Sequence, residues 1–331
     1  MRIFDKEISR RAENSYTVCI LGGTGFLGRH LLNVLLKETG VHIKVLSRYK
    51  SKLEYFSNNV QVVKGDLLDL DSLVSFLEPG AVVINLVYLK NQSMEDNLKA
   101  IENLANACIK VGVVKLVHCS TTAVFGCVDD NTIVEETVCN PVTMYEKTKL
   151  EAENLLLRTL KDKCIVIIVR PSEVFGEGGR NLLKLAKSLT SESNLIRSLK
   201  ISLFSKQRLN LVYVENVVTA IWYLARFNFD ISGQIFVISD DDAPENNYYD
   251  VIGILSEHLG IRPVGFISLP FQSQILQLLL YLTGRNNTNP KQTYSIGKLI
   301  QTGFKKPVSF QDGIKLFATW FKNQESGRGV E

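Results

Sequence analysis

The chain has 331 residues, of which 45% are hydrophobic and 22% charged, with a formal net charge of +4. This composition excludes a disordered chain and permits a sizeable core, and the length suits one large α/β unit plus a smaller lobe. The positive charge is mild and spread out, so it argues little for a nucleic-acid or membrane partner.

The first 16 residues carry charges throughout and lack the apolar stretch of a secretory signal. From there short apolar runs alternate with helical patterns. The runs are TVCIL (17–21), IKVLS (43–47), VQVVKG (60–65), AVVINLV (81–87), VKLVHCS (114–120) and CIVIIVR (164–170). Each is β-branched and nearly continuous, as a strand buried on both faces reads. Helical patterns over 27–38, 70–77, 94–111 and 143–160 separate them. The alternation predicts an α/β fold, a doubly wound parallel sheet of the Rossmann type, with a smaller and mostly α C-terminal lobe. Residues 171–205 read as a Gly-rich turn and a basic helix, 210–226 as strand then helix, and 234–239 as a strand. The expected division is a dinucleotide-binding domain over 15–175 and 206–240, and a substrate lobe over 176–205 and 241–331. The longest apolar run, ILQLLLYL at 275–282, falls far short of the roughly 20 residues a spanning helix needs. It reads as a buried or cap-lobe helix, or else as a surface for membrane or a greasy ligand. No integral membrane segment is expected.

The six cysteines form no C-x-x-C pair, and Cys19, Cys119 and Cys164 fall in strand-like runs. Reduced thiols in a cytoplasmic protein are the simplest account. His30, His42, His118 and His258 show no metal-ligand spacing, so no metal is expected.

Gly22, Gly25 and Gly28 stand directly between the first strand and the first helix. The first permits a tight turn, the second lets a pyrophosphate approach the backbone, and the third lets helix pack on strand. The amide groups at the helix start then face the phosphate, so Gly22, Thr24, Gly25, Phe26, Leu27 and Gly28 are the expected cofactor-binding turn. After the second strand no acid appears before Glu54, and Arg48, Lys50 and Lys52 follow instead. Arg48 can pair with a 2′-phosphate, which leans the cofactor from NAD toward NADP, or it is an exposed turn arginine. Asp66, followed by Leu67, reads as an acceptor for the adenine amino group or as a helix N-cap.

Tyr145 and Lys149 stand four apart, which on a helix places them on one face. The ammonium lowers the phenol's pKa, so the phenol can exchange a proton with an alcohol or carbonyl while hydride moves at the nicotinamide. With 11 tyrosines a chance Y-x-x-x-K is expected, and Tyr294 and Lys298 form a second one. Order separates them: Ser120, Thr121 and Thr122 end a strand one crossover upstream of Tyr145, whereas Tyr294 has no such strand and reads as structural.

These residues resemble the extended short-chain dehydrogenase/reductase family, also called the NAD-dependent epimerase/dehydratase family. The resemblance rests on GGTGFLG (22–28), CSTTAVFG (119–126), NPVTMYEKTKLEAE (140–153), VRPSEVFGEGG (169–179) and LVYVENVV (211–218). It implies catalytic roles for Thr121, Tyr145 and Lys149, with Ser120 as the neighbouring choice and Asn103 as a supporting asparagine. The two residues that follow the threonine in the family's 4,6-dehydratases, Asp and Glu, are here Thr122 and Ala123, which argues against dehydration. Glu173 stands where many nucleotide-sugar members have Asn. Arg180 and Arg208 could hold a substrate diphosphate or be solvated charges.

The expected function is an NAD(P)-dependent oxidoreductase or epimerase acting on a hydroxyl or keto group of a small molecule, with a nucleotide sugar in the lead. The alternative is a 3β-hydroxysteroid-dehydrogenase-like or dihydroflavonol-reductase-like reductase of an apolar ketone. A third reading is a dinucleotide-binding sensor without turnover. The resemblance also makes a homodimer plausible.

Overall fold

The structure, a computed structural model, describes residues 16–49, 59–227, 231–265 and 289–327. The apolar run 275–282 and the basic pair Lys50 and Lys52 lie outside them. Seven strands form one parallel sheet: β1 (Tyr16–Leu21), β2 (Val41–Ser47), β3 (Val60–Lys64), β4 (Val82–Asn85), β5 (Lys115–Cys119), β7 (Ile165–Pro171) and β10 (Gln234–Ile238). Their order across the sheet is β10-β7-β5-β4-β1-β2-β3. The direction of build-up reverses between β1 and β4, and crevices at such switch points, beyond the carboxyl ends of the strands, receive ligands in open α/β sheets. The short strand pairs β6 (Thr132–Ile133) with β11 (Thr293–Tyr294), and β8 (Glu173–Phe175) with β9 (Leu211–Tyr213), stand outside this sheet.

By contacts the chain divides into two compact units. The first draws on residues up to 120, 144–169 and 218–235, and the second on 121–143, 170–217 and from 236 onward. The sequence expectation places 121–143, 170–175, 206–217 and 236–240 with the sheet, whereas the contacts group them with the second unit. Pairing accounts for the first three of these: β6 joins β11 through Thr132 and Thr293, and β8 joins β9 through Glu173 and Leu211.

In the first unit the sheet is covered by helices whose apolar spacing matches their buried faces. Helix α1 (Phe26–Leu35) buries Gly28, Leu31, Leu32 and Leu35, spaced for one helical stripe. Helix α2 (Leu70–Phe76) is capped by Asp69, which accepts from the amides of Asp71 and Ser72. Helix α3 (Met94–Val111) starts with a Ser93–Asp96 capping box and ends at Gly112 in the left-handed conformation. Small residues at Ala100, Ala105 and Ala107 let it pack against α2 and α4 (Met144–Thr159). Leu21, Val83, Leu104, Leu116 and Leu156 are fully buried between these layers. Each such burial contributes about 2 kcal/mol.

In the second unit the stretch 171–205 holds two helices rather than one basic helix: α5 (Asn181–Ser191) and α6 (Asn194–Phe204). The break comes from Ser193, which leaves helical geometry and caps the restart at the Ile196 amide. Helix α7 (Val214–Arg226) follows β9, and from residue 218 onward it belongs to the first unit. Helices α8 (Tyr248–Leu259) and α10 (Phe310–Gly327) pack together, with the short α9 (Gly297–Gln301) between them in sequence. Asp240 and Asp241 anchor this unit. Asp240 accepts from the Tyr213 amide at 2.9 Å and pairs with Lys306 at 3.0 Å. Asp241 accepts from Asn210 at 2.7 Å, the Tyr294 amide at 2.8 Å and Asn246 at 2.9 Å. Among the described residues no helix is long and apolar enough to cross a membrane.

Candidate active site

Gly22 leaves β1 with φ of 91°, a conformation that favours glycine. The Gly25 amide donates to the Gly22 carbonyl at 3.0 Å and closes the turn. Helix α1 begins one residue later with no side-chain cap and no acid in its first turn. Its leading amides are therefore free of any side chain that would occupy a phosphate's place. Thr24, Phe26 and Leu27 are half-buried around this turn. Gly28 packs on the turn itself, where an added Cβ would stand 2.5 Å from Gly23 Cα.

At the end of β2, Ser47 Oγ donates to the Tyr49 carbonyl at 2.8 Å, and Arg48 is exposed. Asp66 does not cap a helix, because Asp69 takes that position in α2. Instead Asp66 Oδ1 accepts the Leu68 amide at 3.0 Å in a local turn. Leu67 is buried, and its carbonyl accepts from Asn103 Nδ2 at 3.1 Å. Asn103 thus holds the loop after β3.

Helix α4 sets the acid/base candidates. Its buried face runs through Thr148, Lys149, Ala152, Glu153 and Leu156. Lys149 is 5% exposed, and its ammonium donates to the Cys119 carbonyl at 2.8 Å. Burial holds the Lys149 ammonium below the usual lysine pKa, while Cys119 and Glu153 act in the opposite sense. Tyr145, one turn earlier, keeps 40% of its surface exposed. The ring of Tyr88 meets Tyr145 edge-on at 4.9 Å, and the Lys149 ammonium lies 5.9 Å from the same ring's centroid. This part of the first unit thus sets a half-exposed phenol one helical turn from a buried cation, with the Tyr88 ring against both.

Ser120 closes β5 with a buried hydroxyl that has no partner among the described residues. Thr121, the next residue, caps the 3₁₀ turn 122–125 by accepting the Ala123 amide at 3.2 Å. The second Tyr-Lys pair is not a helical pair. Tyr294 lies on β11 and Lys298 on α9, and the Tyr294 ring packs on Phe125. Arg208 is committed: its guanidinium donates to the carbonyls of Asp241 at 2.7 Å, Pro244 at 3.0 Å and Ala243 at 3.1 Å. Arg180 is exposed at the start of α5.

The profile of the NAD dependent epimerase/dehydratase family matches residues 18–239. The chain belongs to that family. It is an enzyme of the extended short-chain dehydrogenase/reductase type. It is 23% identical to the dTDP-D-glucose 4,6-dehydratase of Dictyostelium discoideum, over 93% of this chain and 82% of that protein. It is 25% identical to 3beta-hydroxysteroid-dehydrogenase/decarboxylase isoform 2 of Arabidopsis thaliana, over 93% of this chain and 62% of that longer protein. The fold is shared with the UDP-glucuronic acid 4-epimerase of Bacillus cereus, solved with UDP-glucuronic acid and NAD. That likeness has a TM-score of 0.71 and 20% identity over 93% of this chain and 99% of the other.

Within the family frame, three residues around Lys149 escaped sequence reasoning: Asn85, Tyr88 and His118. The signal was present. Asn85 and His118 are polar residues interrupting apolar strand runs, and a polar group buried in a sheet requires a specific partner. Asn85 Nδ2 stands 3.0 Å from His118 Nδ1.

Proposed function

We propose that this family member is an NAD(P)-dependent oxidoreductase or epimerase acting on a hydroxyl or keto group of a nucleotide sugar, with Tyr145 as the acid/base. The observation that carries this reading is the Lys149 ammonium, buried on the Cys119 carbonyl one helical turn from a half-exposed Tyr145. The Gly22–Gly28 turn fits a dinucleotide, because α1 begins without a competing side-chain cap and without an acid in its first turn. When bound, the nicotinamide supplies the hydride acceptor and donor. Gly22, Thr24, Gly25, Phe26, Leu27 and Gly28 cradle the phosphates, and Asp66 and Leu67 border the adenine. Lys149 holds its charge near the phenol and favours the phenolate. Tyr145 then takes the substrate hydroxyl's proton, and returns it when hydride comes back. By the resemblance, Thr121 hydrogen-bonds the reacting oxygen. Arg48, exposed after β2, supports NADP over NAD. The lobe 176–205 and 241–331 binds substrate, with Arg180 as its diphosphate ligand. The six free cysteines, four of them buried, support a cytoplasmic setting, and a homodimer completes the reading.

A second reading, reduction of an apolar ketone, is favoured by Arg208, whose fork is spent on three backbone carbonyls rather than left for a diphosphate. A thermal-shift screen with NAD, NADP, UDP-sugars and sterols separates the two. Tyr145→Phe tests the chemistry: dinucleotide binding persists and turnover falls about 10²- to 10⁴-fold. Full turnover in that variant refutes the acid/base role.

A further inference from the structure

Asn85 on β4 and His118 on β5 are cross-strand partners. Asn85 Oδ1 accepts the Val87 amide at 3.0 Å, which turns its Nδ2 toward His118 Nδ1. A donor facing Nδ1 makes that nitrogen the acceptor, so the neutral imidazole carries its proton on Nε2. His118 is 1% exposed, and Nε2 has no hydrogen-bond partner among the described residues. An unmet buried donor is costly. His118 lines a small cavity together with Asn97, Thr148 and Lys149 among apolar side chains.

Those polar groups are complementary. Lys149 spends one N–H on the Cys119 carbonyl and has two more. Thr148 Oγ donates to the Met144 carbonyl and keeps lone pairs. Asn97 Oδ1 accepts the Leu89 amide at 2.9 Å and keeps one lone pair. Two donors and two acceptors bordering a water-sized space meet the requirements of a buried water. We infer that His118 is a positioning residue: its Nε2–H and the Lys149 ammonium grip one water molecule between them, and through it His118 steadies the charged lysine that serves Tyr145. The groups that face His118 are Asn85 from β4 and the Lys149 ammonium from α4, with Glu153 one turn beyond the lysine and the Cys119 thiol beside it in β5. Burial and the Lys149 charge both hold the imidazole far below its ordinary pKa. It therefore acts as a fixed donor and not as a carrier of the proton.

This inference rests on the acid/base reading of Tyr145, and its test is independent of substrate. The phenol of Tyr145 is titrated by ultraviolet difference against the matching Tyr145→Phe protein, in three backgrounds: unaltered, His118→Phe and His118→Gln. His118→Phe keeps a ring but removes the donor, and Tyr145 is expected to titrate higher by about half a pH unit or more. His118→Gln returns an N–H donor and restores the original midpoint. An unmoved midpoint in His118→Phe, or a shift that His118→Gln fails to restore, overturns the inference. In the unaltered protein, nitrogen-15 spectra of the ring are expected to show the Nε2–H tautomer near neutral pH. A protonated Nδ1 or a charged ring overturns it as well, whether or not His118→Phe folds. Loss of the catalytic reading shows separately, as unchanged turnover in Tyr145→Phe.

Discussion

Gly28→Ala is the most informative single substitution in the dinucleotide turn. An added Cβ would stand 2.5 Å from Gly23 Cα and 2.6 Å from its carbonyl carbon, where ordinary contact begins at 3.4 Å. Against Gly23 Cα the shortfall is therefore about 0.9 Å (3.4 less 2.5), and it is larger against the Gly22 carbonyl oxygen, which the Cβ meets first; this is backbone that cannot rotate away as a side chain can. The turn cannot yield without straining the Gly25 amide bond to Gly22. Alanine recovers about 1 kcal/mol of helix propensity, and overpacking costs about 1 to 3 kcal/mol. The net expectation is a loss of up to about 2 kcal/mol in urea unfolding. Function suffers more. The start of α1 must move by nearly the full shortfall, out of reach of the pyrophosphate, and each charge-assisted hydrogen bond lost is worth about 1.5 to 3 kcal/mol. Dinucleotide Kd, read by fluorescence titration, is expected to rise roughly 10- to 100-fold. A variant that keeps its Kd within about twofold and its unfolding midpoint unchanged would refute the assignment of this turn.

Further outcomes follow from other contacts. Arg208→Ala strips three carbonyls of their donor and is expected to cost about 2 kcal/mol in unfolding, with little effect on diphosphate binding; lost nucleotide-sugar binding at full stability would contradict this. Arg48→Ala should raise the Kd for NADP about tenfold while leaving that for NAD near its starting value, measured by parallel titrations. Burial lifts the Asp241 carboxyl to about 6, above its ordinary 3.8, so the fold favours its protonated form. The stability it contributes is full below about pH 4 and is lost as pH rises through about 6. Asp241→Asn should flatten the pH dependence of unfolding across that window by at most about 3 kcal/mol, and equal slopes in the two proteins would exclude the effect.

The sheet was legible because each of its strands is a compact β-branched run, and the seven expected runs each overlap a strand of the observed sheet. Apolar spacing placed α3 and α4 to within a residue. The small pairings β6–β11 and β8–β9 were illegible, since two or three residues carry no periodicity and their partners lie far along the chain. The second Tyr-Lys pair shows the limit of spacing: four residues share a face only inside one helix, and a strand end intervenes at Tyr294. Arg208 shows a different limit. Its residue type suits a phosphate, but only the fold reveals that three backbone carbonyls already take donors from both of its terminal nitrogens. Asn85 and His118 could have been flagged by polarity within buried runs, though their pairing required the register of β4 against β5.

Three residues beyond α1 stands Glu38, whose carboxylate accepts from Trp222 Nε1 at 2.9 Å and from Arg226 at 3.1 Å, 184 and 188 residues away in the chain. Lys115 likewise reaches 110 residues ahead to the Ala225 carbonyl at 3.0 Å. On the ribosome, then, the glycine turn is made early but the residues that support the end of its helix arrive much later. A nascent chain that has reached only residue 170 carries α4 on a half-covered sheet. At a synthesis rate of about 5 to 20 residues per second, several seconds pass before α7 emerges to close it. Such a delay makes this chain a candidate client for co-translational chaperones, and makes late truncation far more damaging than the distance of residue 226 from the glycine turn in sequence would suggest.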